Sequence, residues 1–223
     1  MESIETIDVI RRDSPRAYRR RSVPVSTVVR LPPPKASPVS FTSALANRES
    51  ADNFAPLPLS QLSSFLHDVS GLRCIEQSDS NRQKRAVASM GALHPAHFLM
   101  FLSGLGWCVY LPEYHALGSI LTDDNASTRL LGLVEEHMPG HGGVAVCLLS
   151  DCDLADAYYE NYKPLLLRDA GVLLGHAALV ASAHNLAFRI LGRTGTTAAE
   201  KLIRNLPFRP MATGLALVGS KAI

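Results

Sequence analysis

Apolar positions along the chain recur at two spacings, and the changes between them lay out the elements. From Phe41, the run FTSALANRES puts Phe41, Ala44 and Leu45 at helical spacing, with Thr42 or Ser43 available as a cap. LPLSQLSSFLHDVSGL sets Leu62, Phe65, Leu66 and Val69 on one face between Ser60 and Gly71, which predicts a second helix. A polar loop, RCIEQSDSNRQKRA, leads into VASMGALHPAHFLMF. Phe98 to Ser103 and Trp107 to Leu111 are apolar, aromatic-rich runs divided by GLG, the pattern of a hairpin. YHALGSIL and STRLLGLVEEHM read as helices, while GGVAVCLLS after MPGHG reads as a buried strand. LADAYYENYKPLLLRDAGVLLGHAALVASAHNLAF carries one long helical signal, interrupted near Pro164. TTAAEKLIRNL predicts a short helix and ATGLALVGS a last buried strand. Strands and helices interleave, yet the hairpin argues against a purely parallel sheet. The expectation is α+β, a mostly antiparallel central sheet flanked by helices.

The first forty residues break this pattern. IRRDSPRAYRRRS concentrates arginine and RLPPPKASPVS is proline-rich, a composition that buries little. Residues 1–40 are therefore expected to be a flexible arm, either a solvated segment or a docking arm for a partner, and residues 41–223 the domain. Charge adds little: a formal net charge of +2 gives no concentrated basic face and no argument for nucleic acid. Cys74, Cys108, Cys147 and Cys152 lack the short paired spacings of a zinc site or a disulfide framework, so they read as reduced thiols of a cytoplasmic protein. The N-terminus carries Glu2 and Glu5 without an apolar stretch, against a secretory signal. The uncharged run Ala170 to Ala183 falls short of the ~20 residues a membrane helix needs.

Familiar catalytic signatures are absent. There is no G-x-S-x-G, P-loop or H-E-x-x-H, and GLG at Gly104 to Gly106 leads into a strand rather than a helix. His94 and His97 sit beside a proline with no carboxylate nearby, and His176 and His184 lie on an apolar helix; no metal site is expected. Chemistry instead concentrates in SMGALHP, where Gly91 permits conformations closed to other residues and Pro95 withdraws a donor. Such a turn offers its remaining amides to something.

Four segments, taken together, resemble the nitroreductase-type FMN enzymes, in particular their SagB-type dehydrogenase branch. NRESADNF is similar to the family's early Arg-x-Ser, and SMGALHP to the branch's Ser-x-Gly-Gly-Leu-Tyr-Pro turn. WCVYLPEYHAL is similar to its Val-Tyr-His-Tyr segment before His-Ala-Leu, and LLLRDAGVLLGHAALVASAHNLAF to its Leu-Leu-Glu-Ala-Gly-His helix. The resemblance runs from Phe41 to Lys221. It implies a nitroreductase-like fold and noncovalent FMN, commonly held at a homodimer interface. Arg48 and Ser50 would meet the flavin phosphate or ribityl hydroxyls, and backbone at Ser89, Met90, Gly91, Ala92 and Leu93 would lie against the flavin. Leu191 and Gly192 would contact the ring, and Lys221 would supply a second phosphate-binding cation. On the long helix, Gly171, Gly175, Ala178 and Ser182 form a small-residue stripe, suited either to tight packing within the chain or to a subunit interface.

The chain also departs from the family. Asp52 stands where a basic residue is normal, Val172 replaces the helix histidine, and the Lys-Tyr pair of azoline-oxidising members aligns with Ala157 and Tyr158. Tyr162 and Lys163, about one turn later, could take over; Tyr158, Tyr162, Lys163 and His94 are the candidate proton-handling groups. The implied activity is an FMN-dependent dehydrogenase tailoring a peptide, peptide-like or carrier-bound intermediate, by proton abstraction and hydride transfer to flavin. Two alternatives stay open: a flavin-poor scaffold subunit of a biosynthetic complex gripping its partner through the arm, and a simple NAD(P)H-dependent nitro- or quinone reductase.

Overall fold

A computed structural model describes residues 8–222; Met1 to Ile7, with Glu2 and Glu5, and Ile223 lie outside the described residues. In chain order the elements are β1 (Ile10–Arg11), β2 (Thr27–Arg30), α1 (Phe41–Ala46), β3 (Phe54–Ala55), α2 (Leu59–Ser70), β4 (Leu72–Ile75) and β5 (Gln83–Arg85). After a single 3-10 turn at Met90–Ala92 come β6 (Ala96–Leu102), β7 (Gly106–Leu111), β8 (Ala116–Ser119), α3 (Asp124–His137) and β9 (Val144–Asp151). The last third holds α4 (Cys152–Tyr158), β10 (Tyr159–Glu160), α5 (Lys163–Ala183), β11 (Leu186–Leu191), α6 (Thr196–Glu200) and β12 (Pro210–Lys221).

The eight-stranded sheet runs β11-β12-β9-β6-β7-β8-β2, with β3 added to β12, and all its pairings are antiparallel. Alternation along the strands explains the layering, because successive side chains point to opposite faces. Phe98, Met100, Val146, Leu148, Ala216 and Val218 face α2 and α5 in one core. Leu99, Ala145, Cys147, Leu149, Leu215 and Leu217 face α3 and α6 in the other. β9 is buried on both faces throughout, which is why GGVAVCLLS reads as a continuous apolar run. β12 carries a bulge at Thr213, whose hydroxyl lies 3.0 Å from that of Ser150. At Gly214 a Cβ would come within 2.8 Å of Leu174, so α5 packs close on the sheet there.

Three expectations are corrected. YHALGSIL is not a helix: Ala116–Ser119 is a strand paired on both sides, with β7 and β2. HNLAF is not the end of the long helix either, since Asn185 at φ 55° closes it and β11 begins at Leu186. Nor is the arm loose over its described length. β1 pairs with β10, β2 forms the edge of the main sheet, and Val23 and Leu31 are buried. Arg12 reaches Asp156 and Glu160, and the Tyr18 hydroxyl donates to Asp151 at 2.6 Å.

α5, by length and composition, is a helix that could cross a membrane. It packs instead against α1, α2, β11 and β12. Its far face is open: Leu167 and Val172 are exposed, and a Cβ on Gly171 or Gly175 would meet nothing within 4 Å. The four cysteines are all unpaired, with Cys74 alone exposed.

Because Leu31 is buried against the core, Leu31→Ala is expected to cost about 2–5 kcal/mol in urea unfolding, as large-to-small core changes do. A cost near zero would mean that the arm contributes nothing to the fold.

Candidate functional site

The turn before β6 is held by a carboxylate the sequence reading passed over. Asp169, buried on α5, accepts from the Met90 amide at 2.7 Å and from the Ser89 hydroxyl at 2.9 Å. Burial nevertheless pushes its carboxyl up, against the pull of those two donors. Gly91, Ala92 and His94 all sit at positive φ (51°, 60° and 44°), a strained run for two non-glycine residues. Ser89 Oγ also accepts from the His94 amide at 2.9 Å, while the Ala92 and Leu93 amides bond back to Ser89 and Met90.

Four of the turn's amides are not free to join the expected cradle. The amides of Met90, Ala92, Leu93 and His94 are spent inside the chain. A Cβ on Gly91 would meet the Tyr159 hydroxyl at 2.7 Å and the Arg82 guanidinium at 3.3 Å, so the space expected for a ligand holds the protein's own side chains. Arg82 donates to the Gly91 carbonyl at 2.7 Å, and Arg20 from the arm donates to the Leu93 and His94 carbonyls. The Met90 and Leu93 side chains point into a small core with Leu154 and Leu166.

Arg48, Ser50 and Lys221 lie elsewhere, along two adjoining grooves. A groove of about 230 Å³ is lined by Asn47, Ser50, Asp52, Ala178, Ser182 and Lys221, and an adjoining one by Arg48, Ser182 and Lys221. Arg48 and Ser50 are exposed on the segment after α1, and Lys221 Nζ lies 4.0 Å from Glu49. Asp52, the residue that would repel a phosphate, is paired with Arg189 on β11, whose guanidinium also donates to the Ala51 carbonyl at 3.0 Å. Ser182 fixes the groove to α5 while its hydroxyl donates to the Ala44 carbonyl at 2.7 Å.

Asp169 and Ser182 are thirteen residues apart on α5. At about 1.5 Å per residue the turn and the groove lie about 20 Å apart along the helix axis. The points at which α5 anchors the groove and the turn are thus well separated within one chain. Of the ring-contact candidates, Leu191 is buried at the end of β11 and Gly192 is exposed with open space above it; neither lines the groove.

The proton-handling candidates also separate. Tyr158 is buried, donating to Asp79 at 2.7 Å and accepting from Asn81 at 3.0 Å; burial and Asp79 raise its pKa. His94 is buried and held neutral, its pKa pushed down to about 3 by burial and by the nearby Arg85 and Arg20 charges. Both are poor bases as placed. Tyr162 is half-buried beside Cys152, its pKa raised first by burial, and Lys163 is exposed at the start of α5. Asp169 and Arg189 are the polar residues that sequence reasoning missed. A lone carboxylate in an apolar helix was a usable signal for Asp169; an arginine in a strand was none.

No family model matches the chain, and no curated protein matches it. Solved structures do, over nearly its whole length. A protein of Ralstonia eutropha JMP134 designated a nitroreductase superimposes with a TM-score of 0.63 at 19% identity, covering 94% of this chain and 98% of that one. The chain has the nitroreductase fold. A chain of the E. coli microcin synthetase McbBCD complex, solved with truncated pro-MccB17 bound, matches at TM-score 0.60 and 18% identity over 87% of this chain and 78% of its own. A nitroreductase-designated protein from a Desulfovibrio desulfuricans subspecies, in complex with FMN, matches at TM-score 0.53 and 14% identity over 85% and 89%.

His94, with His97 beside it at a pKa also near 3, gives the turn a pH signature. An unfolded histidine binds its proton near pH 6.5, whereas these two stay neutral in the fold to about pH 3. The unfolded chain therefore binds more protons in that window, and stability falls as pH drops from about 6.5 towards 3, by up to ~1.4 kcal/mol per pH unit for each residue. Thermal unfolding between pH 7.5 and 4.5 should show a shallower slope in His94→Asn and in His97→Phe than in the parent; equal slopes would contradict the assignment.

Proposed function

We propose that this protein is an FMN-dependent oxidoreductase that acts as a homodimer and tailors a peptide, peptide-like or carrier-bound intermediate. The observation that carries the reading is the pair of adjoining grooves at the C-terminal end of α5, one lined by Ser50 and Lys221 and the other by Arg48 and Lys221, with Asp52 paired to Arg189. A planar guanidinium, an ammonium and a hydroxyl are groups that bind the oxygens of a phosphate. The phosphate end of FMN would lie there, with Glu49, which lines both grooves 4.0 Å from Lys221, turned aside; the turn, with four of its amides spent, is the poorer cradle in a single chain.

A second copy resolves the distance. The open face of α5, with apolar Leu167 and Val172 and the bare Gly171 and Gly175, supports close approach of another helix. In such a dimer the groove of one protomer would anchor the phosphate and the partner's copy of the turn would flank the ring, as a surface rather than a set of donors. Gly192, exposed and unobstructed, leaves room for a flat ring beside β11. Bound FMN would supply the hydride acceptor. The chain's part is to anchor, exclude water and hold the proton, and Tyr162 with Lys163 is the pair left accessible for the last task. The neighbour that belongs to a synthetase complex with a truncated propeptide supports a peptide-like substrate and a biosynthetic partner.

One observation favours a second reading, a flavin-free binding subunit of a biosynthetic complex: Tyr159, Arg82 and Arg20 close over the turn from within the chain. The visible spectrum separates the two. The proposal expects a yellow protein that releases FMN on denaturation, and in Arg48→Ala/Lys221→Ala a FMN dissociation constant raised at least ~10-fold, each charged hydrogen bond being worth about 1.5–3 kcal/mol. A colourless preparation that takes up no added FMN would uphold the subunit reading. Lys163→Ala is expected to lower turnover with little change in bound FMN; unchanged turnover would remove Lys163 from the proton-handling role.

A further inference from the structure

Beside the arm lies a cavity of about 50 Å³ lined by Arg20, Arg85, Ser70, His94, His97 and Tyr110, with the exposed Glu113 also in its lining. Its charges do not balance. Arg85 donates to Gln83 Oε1 at 3.1 Å and to the Ser70 hydroxyl at 2.7 Å, and Arg20 to the carbonyls of Asn81, Leu93 and His94. Among the described residues neither guanidinium has a carboxylate within salt-bridge distance. Glu113, the nearby acid, accepts instead from Gln83 Nε2 at 2.9 Å.

Both arginines are half-buried overall, with their charged ends desolvated. Burial lowers the pKa of each, Arg85 to about 10 with Arg20 as the next cause. Glu113 acts on both arginines and Asp151 on Arg20, but neither carboxylate pairs directly with a guanidinium, and burial still outweighs their attraction; two desolvated cations sharing so little direct counter-charge are costly to keep together. Two further atoms point the same way: Arg20 Nε and His97 Nε2 are buried and have no hydrogen-bond partner among the described residues. Buried donors without acceptors are rare. The His97 ring itself is pinned by stacking on Phe208, 5.1 Å between centroids.

We propose that this cavity binds one small oxyanion, a carboxylate or phosphate-type group, between the Arg20 and Arg85 guanidiniums, with His97 Nε2–H as an added donor. A guanidinium offers paired N–H groups in the geometry two oxygens need, and a neutral imidazole can donate from Nε2. The size limits the occupant: on this measure one water needs about 10–15 Å³, so the space takes a few heavy atoms, a single carboxylate or a phosphate-sized ion, and is too small for a nucleotide. The residues are separate from the Arg48 groove, so the site stands whether or not the protein carries flavin. The same chemistry could arrive free in solution or on the end of a peptide.

The test uses the full-length protein dialysed into a chloride buffer. Acetate, inorganic phosphate, a short peptide with a free C-terminal carboxylate and the same peptide amidated are each titrated at constant ionic strength. Thermal unfolding and the histidine ring proton resonances are followed. A saturable rise in Tm together with saturable shifts of two ring resonances, lost in Arg85→Gln, is the expected result. A response to acetate or phosphate names a free anion; a response to the free-acid peptide alone names a peptide carboxylate. Responses that never saturate, that chloride reproduces, or that persist unchanged in Arg85→Gln would overturn the proposal. Should Arg85→Gln fail to fold, the wild-type resonances decide, because absent or linear shifts with all four probes would overturn it equally.

Discussion

The carboxylate of Asp169 is the joint on which the site depends. Set in the first half of α5 and facing inward, it fixes the Ser89 hydroxyl and the Met90 amide, the start of a run of left-handed backbone. The same helix, thirteen residues later, fixes the groove through Ser182. A helix is stiff over that length, so turn and groove keep their separation whatever binds at either end. Under the proposed dimer, that separation is spanned by two chains: one protomer would begin the site and its partner would complete it.

The N-terminal arm is the second determinant. Its arginines do different jobs: Arg12 and Arg16 make surface pairs with Asp156, while Arg20 turns inward onto the turn's carbonyls and shares a cavity with Arg85. Because Arg20 stabilises the turn from the outside and Asp169 from the inside, the turn is clamped on both sides. The strain at Ala92 and His94 is therefore sustained by contacts from two distant parts of the chain, the arm and α5.

Much of the fold was legible where local pattern and tertiary context agree. The β6–β7 hairpin carries aromatic alternation and glycines at positive φ, α3 opens on the Asp123 cap, and β9 is a plain apolar run between breakers. The misreadings share a cause. β8 and β2 are four residues each, too short for a period to emerge, and they become strands because each pairs with a neighbour distant in sequence. β2 was further hidden in an arginine- and proline-rich stretch whose average composition masks four strand residues. Arg48, Ser50 and Lys221 were named through resemblance, and they line two adjoining grooves together with Glu49, which the resemblance did not single out. The blocking of the turn was not legible, because Tyr159, Arg82 and Arg20 reach it from β10, a loop and the arm, and nothing local in SMGALHP announces them.

The most direct test of a site shared between two chains is a charge placed on the open face of α5. Val172 is exposed and touches neither the turn nor the groove, so Val172→Arg should leave the fold intact. Sedimentation velocity combined with flavin absorbance is expected to show the parent as a yellow dimer and the variant as a folded, colourless monomer. A variant that sediments as a monomer and keeps its flavin would contradict the account.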